Sequence, residues 1–139
     1  MTANRVKQPL TLALIVLLTS VGKGSAQHMN ARDAPCQAVG PAAERTRCFF
    51  EEAQHADREL NLLYNKIHQI LEPTDQAQLT AAQRLWIQFR DANCGAERGL
   101  YAGGSAAPMV YQACLEADTR QRTAELNVMY GWILEKFAK

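Results

Sequence analysis

Apolar residues recur at spacings of three and four along most of the chain, which is the period of an amphipathic α-helix. Residues 43–72 contain neither glycine nor proline, so we predict one long first helix there, ended by Pro73. Its apolar positions are Ala53, Ala56, Leu60, Leu63, Ile67 and Ile70.

A second helix is predicted directly after Pro73, because Thr74 or Asp75 can accept hydrogen bonds from its first free amides. It continues to about Arg98, where Gly99 stops it. The short link makes the two helices an antiparallel hairpin. The seam expected to face the first helix consists of Leu79, Ala82, Trp86, Phe89, Asn93 and Ala96.

Residues 99–107 are small and flexible except for Tyr101, so this stretch is a loop. Ser105 is expected to cap a third helix, with Pro108 in its first turn. One apolar stripe of that helix consists of Val110, Cys114, Ala117, Gln121, Ala124 and Val128, and a second of Leu126, Met129, Ile133 and Phe137. The apolar turn near the end, which includes Trp132, needs cover from the first helix or from a second copy in a homodimer.

No strand-like alternation and no internal repeat is visible, so the fold class predicted is all-α, a three-helix antiparallel bundle. Arg5 and Lys7 precede an apolar run at 10–18 and small residues at 22–26, the pattern of a signal peptide cleaved after Ala26. The alternative is an uncleaved anchor, although the run is short for a membrane span. We therefore divide the chain into a signal peptide, 1–26, and one domain, 27–139.

Charge and export together limit the partners. Without the signal peptide, 12 basic residues face 14 acidic ones, a net charge of −2, which removes the electrostatic motive for binding nucleic acid. The first cysteine, Cys36, does not stand in a lipid-attachment site. The mature protein is therefore expected in the periplasm or outside the cell, with no membrane contact after cleavage.

Four cysteines in an exported domain of this size predict two disulfides. Cys36 and Cys48 bracket one chain reversal at residues 39–41, and Cys94 and Cys114 bracket another at 103–104. We favour these two local pairs. Pairing of Cys48 with Cys94 stays open, because antiparallel helices bring both to the same end.

The sequence contains no recognisable set of catalytic residues. Ser105 is the single serine after residue 26 and has no histidine nearby, and four paired cysteines leave no thiolate nucleophile. Glu52 and His55 form one Glu-x-x-His step, but a metal site of that type needs a second step, and His28 lies in a start expected to be disordered. We predict no enzyme, no metal and no cofactor.

Polar residues inside the predicted seams carry a resemblance. The segments are Asp57-Arg-Glu-Leu-Asn-Leu-Leu-Tyr64, Ala82-Gln-Arg-Leu-Trp-Ile-Gln-Phe-Arg-Asp-Ala-Asn-Cys94, Gly103-Gly-Ser105 and Cys114-Leu-Glu-Ala-Asp-Thr-Arg-Gln-Arg122. In order, spacing and cysteines they resemble the lysozyme inhibitor LprI-like amino-terminal domain family, from Cys36 to about Leu126. The resemblance implies an exported helical domain whose protein partner is lysozyme. It implies inhibition less strongly, because inhibition of lysozyme is a property of the protein after which the family is named.

Most of the matched positions are expected to be structural, with Arg90 pairing with Asp57 or Glu59 across the hairpin. This polar network consists of Asp57, Asn61, Tyr64, Gln83, Trp86, Arg90 and Arg122. The loop residues Tyr101, Gly103, Gly104 and Ser105 are the candidate lysozyme contacts, the two glycines exposing backbone amides. The alternative is that the glycines only let Cys94 reach Cys114.

The alternative function of the protein is that of a structural or adaptor module. A cell-wall enzyme, with only carboxylate pairs in its favour, ranks last.

Overall fold

The computed structural model describes residues 28–137. A 3-10 turn at His28–Asn30 precedes three helices: α1 (Ala42–Ile70), α2 (Pro73–Gly99) and α3 (Ala107–Phe137). This range contains no strand, so the all-α, three-helix prediction is confirmed. None of these helices combines the length and apolarity needed to cross a membrane. The predicted signal peptide, 1–26, lies outside the described residues.

The helix boundaries follow the predicted stop signals, but both predicted caps need correction. Pro73 does not merely end α1; it occupies the first turn of α2, where its missing amide hydrogen costs nothing. Thr74 and Asp75 are therefore inside the helix, and Glu72 stands at the cap position without a side-chain cap bond. The third helix begins at Ala107, two residues beyond Ser105, so Ser105 is not its cap residue, while Pro108 lies in the first turn as expected.

The third helix is the centre of the bundle. Both α1 and α2 pack against α3 rather than mainly against each other. Residues on several sides of α3 are buried in consequence, among them Met109, Ala113, Glu116 and Thr119. The prediction that α2 presents its seam chiefly to α1 is therefore wrong.

The two ends of the bundle are held by different means. At one end, disulfides join Cys36 to Cys48 and Cys94 to Cys114, the two local pairs that we favoured. The first of these bridges belongs to a small apolar cluster built on Cys36, Phe49, Met109 and Ala113, against which Cys48 packs. At the other end the core consists of Leu60, Ile67, Leu79 and Leu126.

The buried stripe of α2 is rotated from the predicted one. Leu79 is buried as expected and Trp86 is half-buried. The other predicted seam residues, Ala82, Phe89, Asn93 and Ala96, are exposed. Gln83, Arg90 and Cys94 take their places. The polar members of this stripe are tolerated because each finds a partner, as described below.

The predicted stripes of α3 also need correction. In the first stripe, Gln121, Ala124 and Val128 are exposed. In the second, Leu126 is fully buried and Ile133 half-buried, while Met129 and Phe137 are exposed. Trp132 is 66 % exposed, so α1 does not cover this turn. The homodimer alternative remains a prediction.

Candidate functional site

A polar network centred on Arg90 joins all three helices. Its guanidinium donates to Asp91 on α2 (3.0 Å), to Asp57 on α1 (3.3 Å) and to the Thr119 hydroxyl on α3 (3.2 Å). The Arg90 side chain is 15 % exposed, whereas Asp57 is 53 % exposed. The predicted pairing of Arg90 with Asp57 is therefore present, although the more buried partner is Thr119.

Trp86 lies between two guanidinium groups. Arg90 stands 5.1 Å from the ring centroid and Arg122 stands 5.8 Å from it, both within cation–π range. Arg122 also donates to Gln83 (3.2 Å) and to Glu125 (3.2 Å). These stacked side chains join α2 to α3 where a purely apolar seam would otherwise be needed.

The other members of the predicted network form separate contacts. Asn61 donates to Asp57 over one helical turn (3.4 Å). Tyr64 and Thr80 share a hydrogen bond of 2.9 Å between their hydroxyls, which ties α1 to α2. Of these two contacts, only the Tyr64–Thr80 pair joins two helices.

The α2–α3 loop caps the disulfide-linked end. It is a series of tight turns in which the amides of Tyr101 and Ala102 donate to the carbonyls of Arg98 and Gly99. Tyr101 is half-buried, while Ser105 is exposed. The stretch between Arg98 and Glu116, which contains no charged residue, therefore comprises this short connection and the first turns of α3.

Backbone geometry accounts for both glycines of this loop. Gly103 has φ +80°, the left-handed region that favours glycine. At Gly104 a Cβ would lie 3.3 Å from the Tyr101 carbonyl oxygen. The Gly104 amide already donates to that carbonyl (2.9 Å), so the expectation that it offers itself to a partner is wrong.

The amino-terminal segment is ordered where we expected disorder. The His28 ring lies 2.5 Å from a Glu97 carboxylate oxygen and 3.7 Å from an Asp118 oxygen. The His28 amide also donates to Glu97 (3.2 Å). Sequence reasoning missed this clamp because its three residues are far apart along the chain and share no periodicity.

A second anchor holds the same segment. Arg120 of α3 donates to Asp33 (2.8 Å) and to the buried Glu116 (2.8 Å). These groups border a groove of about 420 Å³, which Glu52 and His55 also line. The hydrogen bond from Arg120 holds the pKa of the exposed Asp33 carboxyl below its ordinary value of 3.8.

This ion pair predicts an acid-sensitive segment. A carboxyl whose folded pKa is lowered stabilises the fold above its unfolded pKa, and the contribution disappears as pH falls through the folded value. We therefore expect the Ala31–Ala34 turn to loosen below about pH 3.8. NMR amide shifts of this turn report it, and Asp33→Asn should loosen the turn already at pH 7. Unchanged shifts in both cases would contradict the prediction.

The groups that most resemble a metal site do not form one in the described part of the chain. His28 and Asp118 converge with Cys114, whose sulfur is in the disulfide and cannot act as a thiolate ligand. Glu52 and His55 share the groove, yet the facing α3 residues there include the cation Arg120.

Fold and site together define a class: a small three-helix domain with two disulfides at one end and polar side-chain pairs between its helices. The chain belongs to the Lysozyme inhibitor LprI family, which it matches over residues 31–126. It is also 31 % identical over 128 residues to an uncharacterized protein of Rhizobium meliloti (strain 1021), covering 83 % of this chain and 90 % of that protein. No solved structure matches the chain.

Proposed function

We propose that this protein is exported to the periplasm or beyond and protects the cell wall by inhibiting lysozyme, occluding the cleft of a muramidase. Membership of the lysozyme inhibitor family over residues 31–126 is the observation that carries the proposal. The family is one of lysozyme inhibitors, which supports a binding role for this chain.

The α2–α3 loop is the contact surface that we propose. A muramidase cleft carries two catalytic carboxylates, so an inhibitor must approach without bringing further negative charge. The loop and the first turns of α3 contain no charged residue between Arg98 and Glu116. The Ser105 hydroxyl is exposed and can donate to a carboxylate, while the Tyr101 ring can stack where a sugar lies.

The disulfide end makes this loop suitable for binding. Cys94 and Cys114 join the last turns of α2 to the first turns of α3, so the stem of the loop is fixed before any partner arrives. Preorganisation of this kind lowers the ordering cost of association. The same fixed stem would also present the loop in one orientation to a narrow cleft.

The test of the function is a lysis assay. The protein, purified with its disulfides intact, is titrated into a suspension of bacteria exposed to lysozyme, and turbidity is followed. Dose-dependent protection is expected, and it should disappear when the disulfides are reduced before mixing. Lysis at an unchanged rate with each of several lysozyme types would refute the proposed inhibition.

A second candidate function is an adaptor module without inhibitory activity. The exposed apolar turn of α3 with Met129, Trp132 and Phe137 favours it, because such patches mark sites of protein contact. The lysis assay distinguishes the two functions. An adaptor without inhibitory activity leaves the rate of lysis by lysozyme unchanged at every concentration, whereas an inhibitor lowers it.

The loop contact predicts a specific variant. Tyr101→Ala combined with Ser105→Ala should weaken inhibition at least ~10-fold, about 1.4 kcal/mol of binding. Helicity and the thermal midpoint should stay nearly unchanged, since Ser105 is exposed and Tyr101 only half-buried. Inhibition and circular dichroism are measured on the same preparation.

Two outcomes contradict that prediction in different ways. Full inhibition by the double variant would move the lysozyme contact from the loop to the helices. A collapsed thermal midpoint would mean that the loop is only a structural connection. Gly103→Ala tests loop shape separately, because it strains the backbone at φ +80° while the Tyr101 ring and the Ser105 hydroxyl stay in place.

A further inference from the structure

A groove lies between α1 and α2 on the surface of α3. Both helices pack on α3 and have few contacts with each other, so α3 is only partly covered between them. This groove, which we call the Phe50 groove, has a volume of about 280 Å³. The residues that decide its chemistry are Phe50, Gln54 and Asp57 of α1, Arg90 of α2, and Gln112 and Leu115 of α3.

The Phe50 groove contains one charge of each sign. Arg90 and Asp57 form an ion pair across it (3.3 Å), and no other charged side chain lines it. An ionic ligand would lose its hydration there without meeting an uncompensated counter-charge. The ligand that fits this groove is therefore neutral.

Two amide side chains line the groove without a partner in the fold. The side chains of Gln54 and Gln112 make no hydrogen bond to any residue of the described range 28–137. Each amide offers N–H donors and a carbonyl acceptor. A ligand group that both donates and accepts, such as an acetamido group, satisfies both side chains.

Phe50 supplies an apolar surface beside these amides. Its ring is 47 % exposed, whereas the neighbouring Phe49 is buried in the core. Leu115 of α3 is half-buried and extends the apolar lining. A pyranose ring has a face of C–H groups that packs on an aromatic ring, while the hydroxyls at its edge remain available for hydrogen bonds. The combination of one aromatic ring with several polar groups fits such a ligand.

We propose that the Phe50 groove binds an N-acetylated aminosugar, a pyranose ring that carries an acetamido group. The ring packs on Phe50, the acetamido group pairs with Gln54 and Gln112, and the ring hydroxyls bond to Asp57 and Arg90. The groove is slightly smaller than the roughly 300–1,000 Å³ of sites for drug-sized ligands, so it holds one ring. The proposal concerns a different surface from the α2–α3 loop and does not depend on lysozyme inhibition.

A peptide segment is the competing ligand, because its backbone amides can also pair with glutamine. From Phe50 to Asp57 the groove follows seven residues of α1, about 10.5 Å at 1.5 Å per residue. An extended peptide advances roughly 3.3 Å per residue, so only about three residues would lie between Phe50 and the ion pair of Asp57 with Arg90. This short length favours a single ring over a chain that gains affinity by its length.

NMR titration of the purified, disulfide-intact protein tests the site. N-acetylglucosamine is added up to about 20 mM, and a dissociation constant on the order of 1 mM is expected, because one ring makes few contacts. The side-chain amide signals of Gln54 and Gln112 should move. Glucose has the ring without the acetamido group, and N-acetyl-leucine methylamide has the amides without the ring. Each should bind at least about fivefold more weakly.

Two substitutions assign the binding to the groove. Phe50→Ala should raise the dissociation constant for N-acetylglucosamine at least about tenfold. Phe89→Ala is the matched control, since Phe89 is also exposed (64 %) but lies outside the groove, and it should change the constant by no more than about twofold. Gln54→Leu removes an amide at similar size and should raise the constant about fivefold. Circular dichroism verifies that all three variants fold.

Four results would overturn the proposal. The first is the absence of shifts at the groove with N-acetylglucosamine at about 20 mM. The second is an equal loss of binding in Phe50→Ala and Phe89→Ala. Tighter binding of the leucine compound than of the sugar would make the groove a peptide site. Equal binding of glucose, or unchanged binding by Gln54→Leu, would remove the acetamido contact that defines the ligand.

Discussion

The double variant Cys94→Ala, Cys114→Ala is expected to lose about 3 kcal/mol of unfolding free energy. The bridge closes a segment of 20 residues, and removing it frees that segment in the unfolded chain. For a domain of this size, such a loss is a large part of the total stability. Urea titration followed by circular dichroism measures it, with the midpoint shifting at nearly constant slope.

The other disulfide supplies the matched control. Cys36→Ala, Cys48→Ala removes a bridge of separation 12, so its expected stability loss is similar, about 3 kcal/mol. Only the first variant frees the stem of the α2–α3 loop. At a temperature where both variants are folded, lysozyme inhibition should therefore fall more in the Cys94 and Cys114 variant. Equal inhibition by the two would contradict a loop contact held by its stem.

The number of helices and the disulfide pairs were predictable because local signals determine them. Pro73 and Gly99 mark the ends of α2 through backbone chemistry that tertiary contacts rarely override. Each disulfide lies around a single chain reversal, so pairing follows once the reversal is recognised. The sequence also indicated that Arg90 pairs across the hairpin with Asp57 or Glu59, and the structure selects Asp57.

The packing face of α2 was not predictable from apolar periodicity. The helix has two stripes: an apolar one with Leu85 and Phe89, and a mixed one with Gln83, Trp86 and Arg90. Periodicity selects the more apolar stripe, but burial depends on which stripe finds partners on α3. Arg122 and Thr119 supply those partners for the polar stripe, and a single sequence does not show contacts between distant positions.

The amino-terminal clamp was missed for the same reason. His28, Glu97 and Asp118 come together only after α2 and α3 have folded against each other. The loop glycines show the opposite case. Their sequence attracted a binding interpretation, yet φ at Gly103 and the close approach at Gly104 explain them locally. Tyr101, Ser105 and the Gly103 amide remain candidate contacts.

Arg90→Ala is expected to lower the unfolding free energy by about 3 kcal/mol. The substitution leaves the Thr119 hydroxyl, which is almost fully buried, without its donor, and it removes a guanidinium that packs on Trp86. Both losses fall at the point where α1, α2 and α3 meet. Chemical denaturation measures the change, and near-ultraviolet circular dichroism should report the altered surroundings of Trp86.

Two further substitutions separate burial from charge pairing. Asp57→Asn removes one ion-pair partner of Arg90, but Asp57 is 53 % exposed, so the expected loss is at most about 1 kcal/mol. Arg90→Lys keeps the charge without the planar fork, and it should recover less than half of the alanine loss. If Asp57→Asn were as damaging as Arg90→Ala, the surface ion pair would be the stabilising contact. If lysine fully restored stability, charge alone would suffice and the stacked geometry at Trp86 would be dispensable.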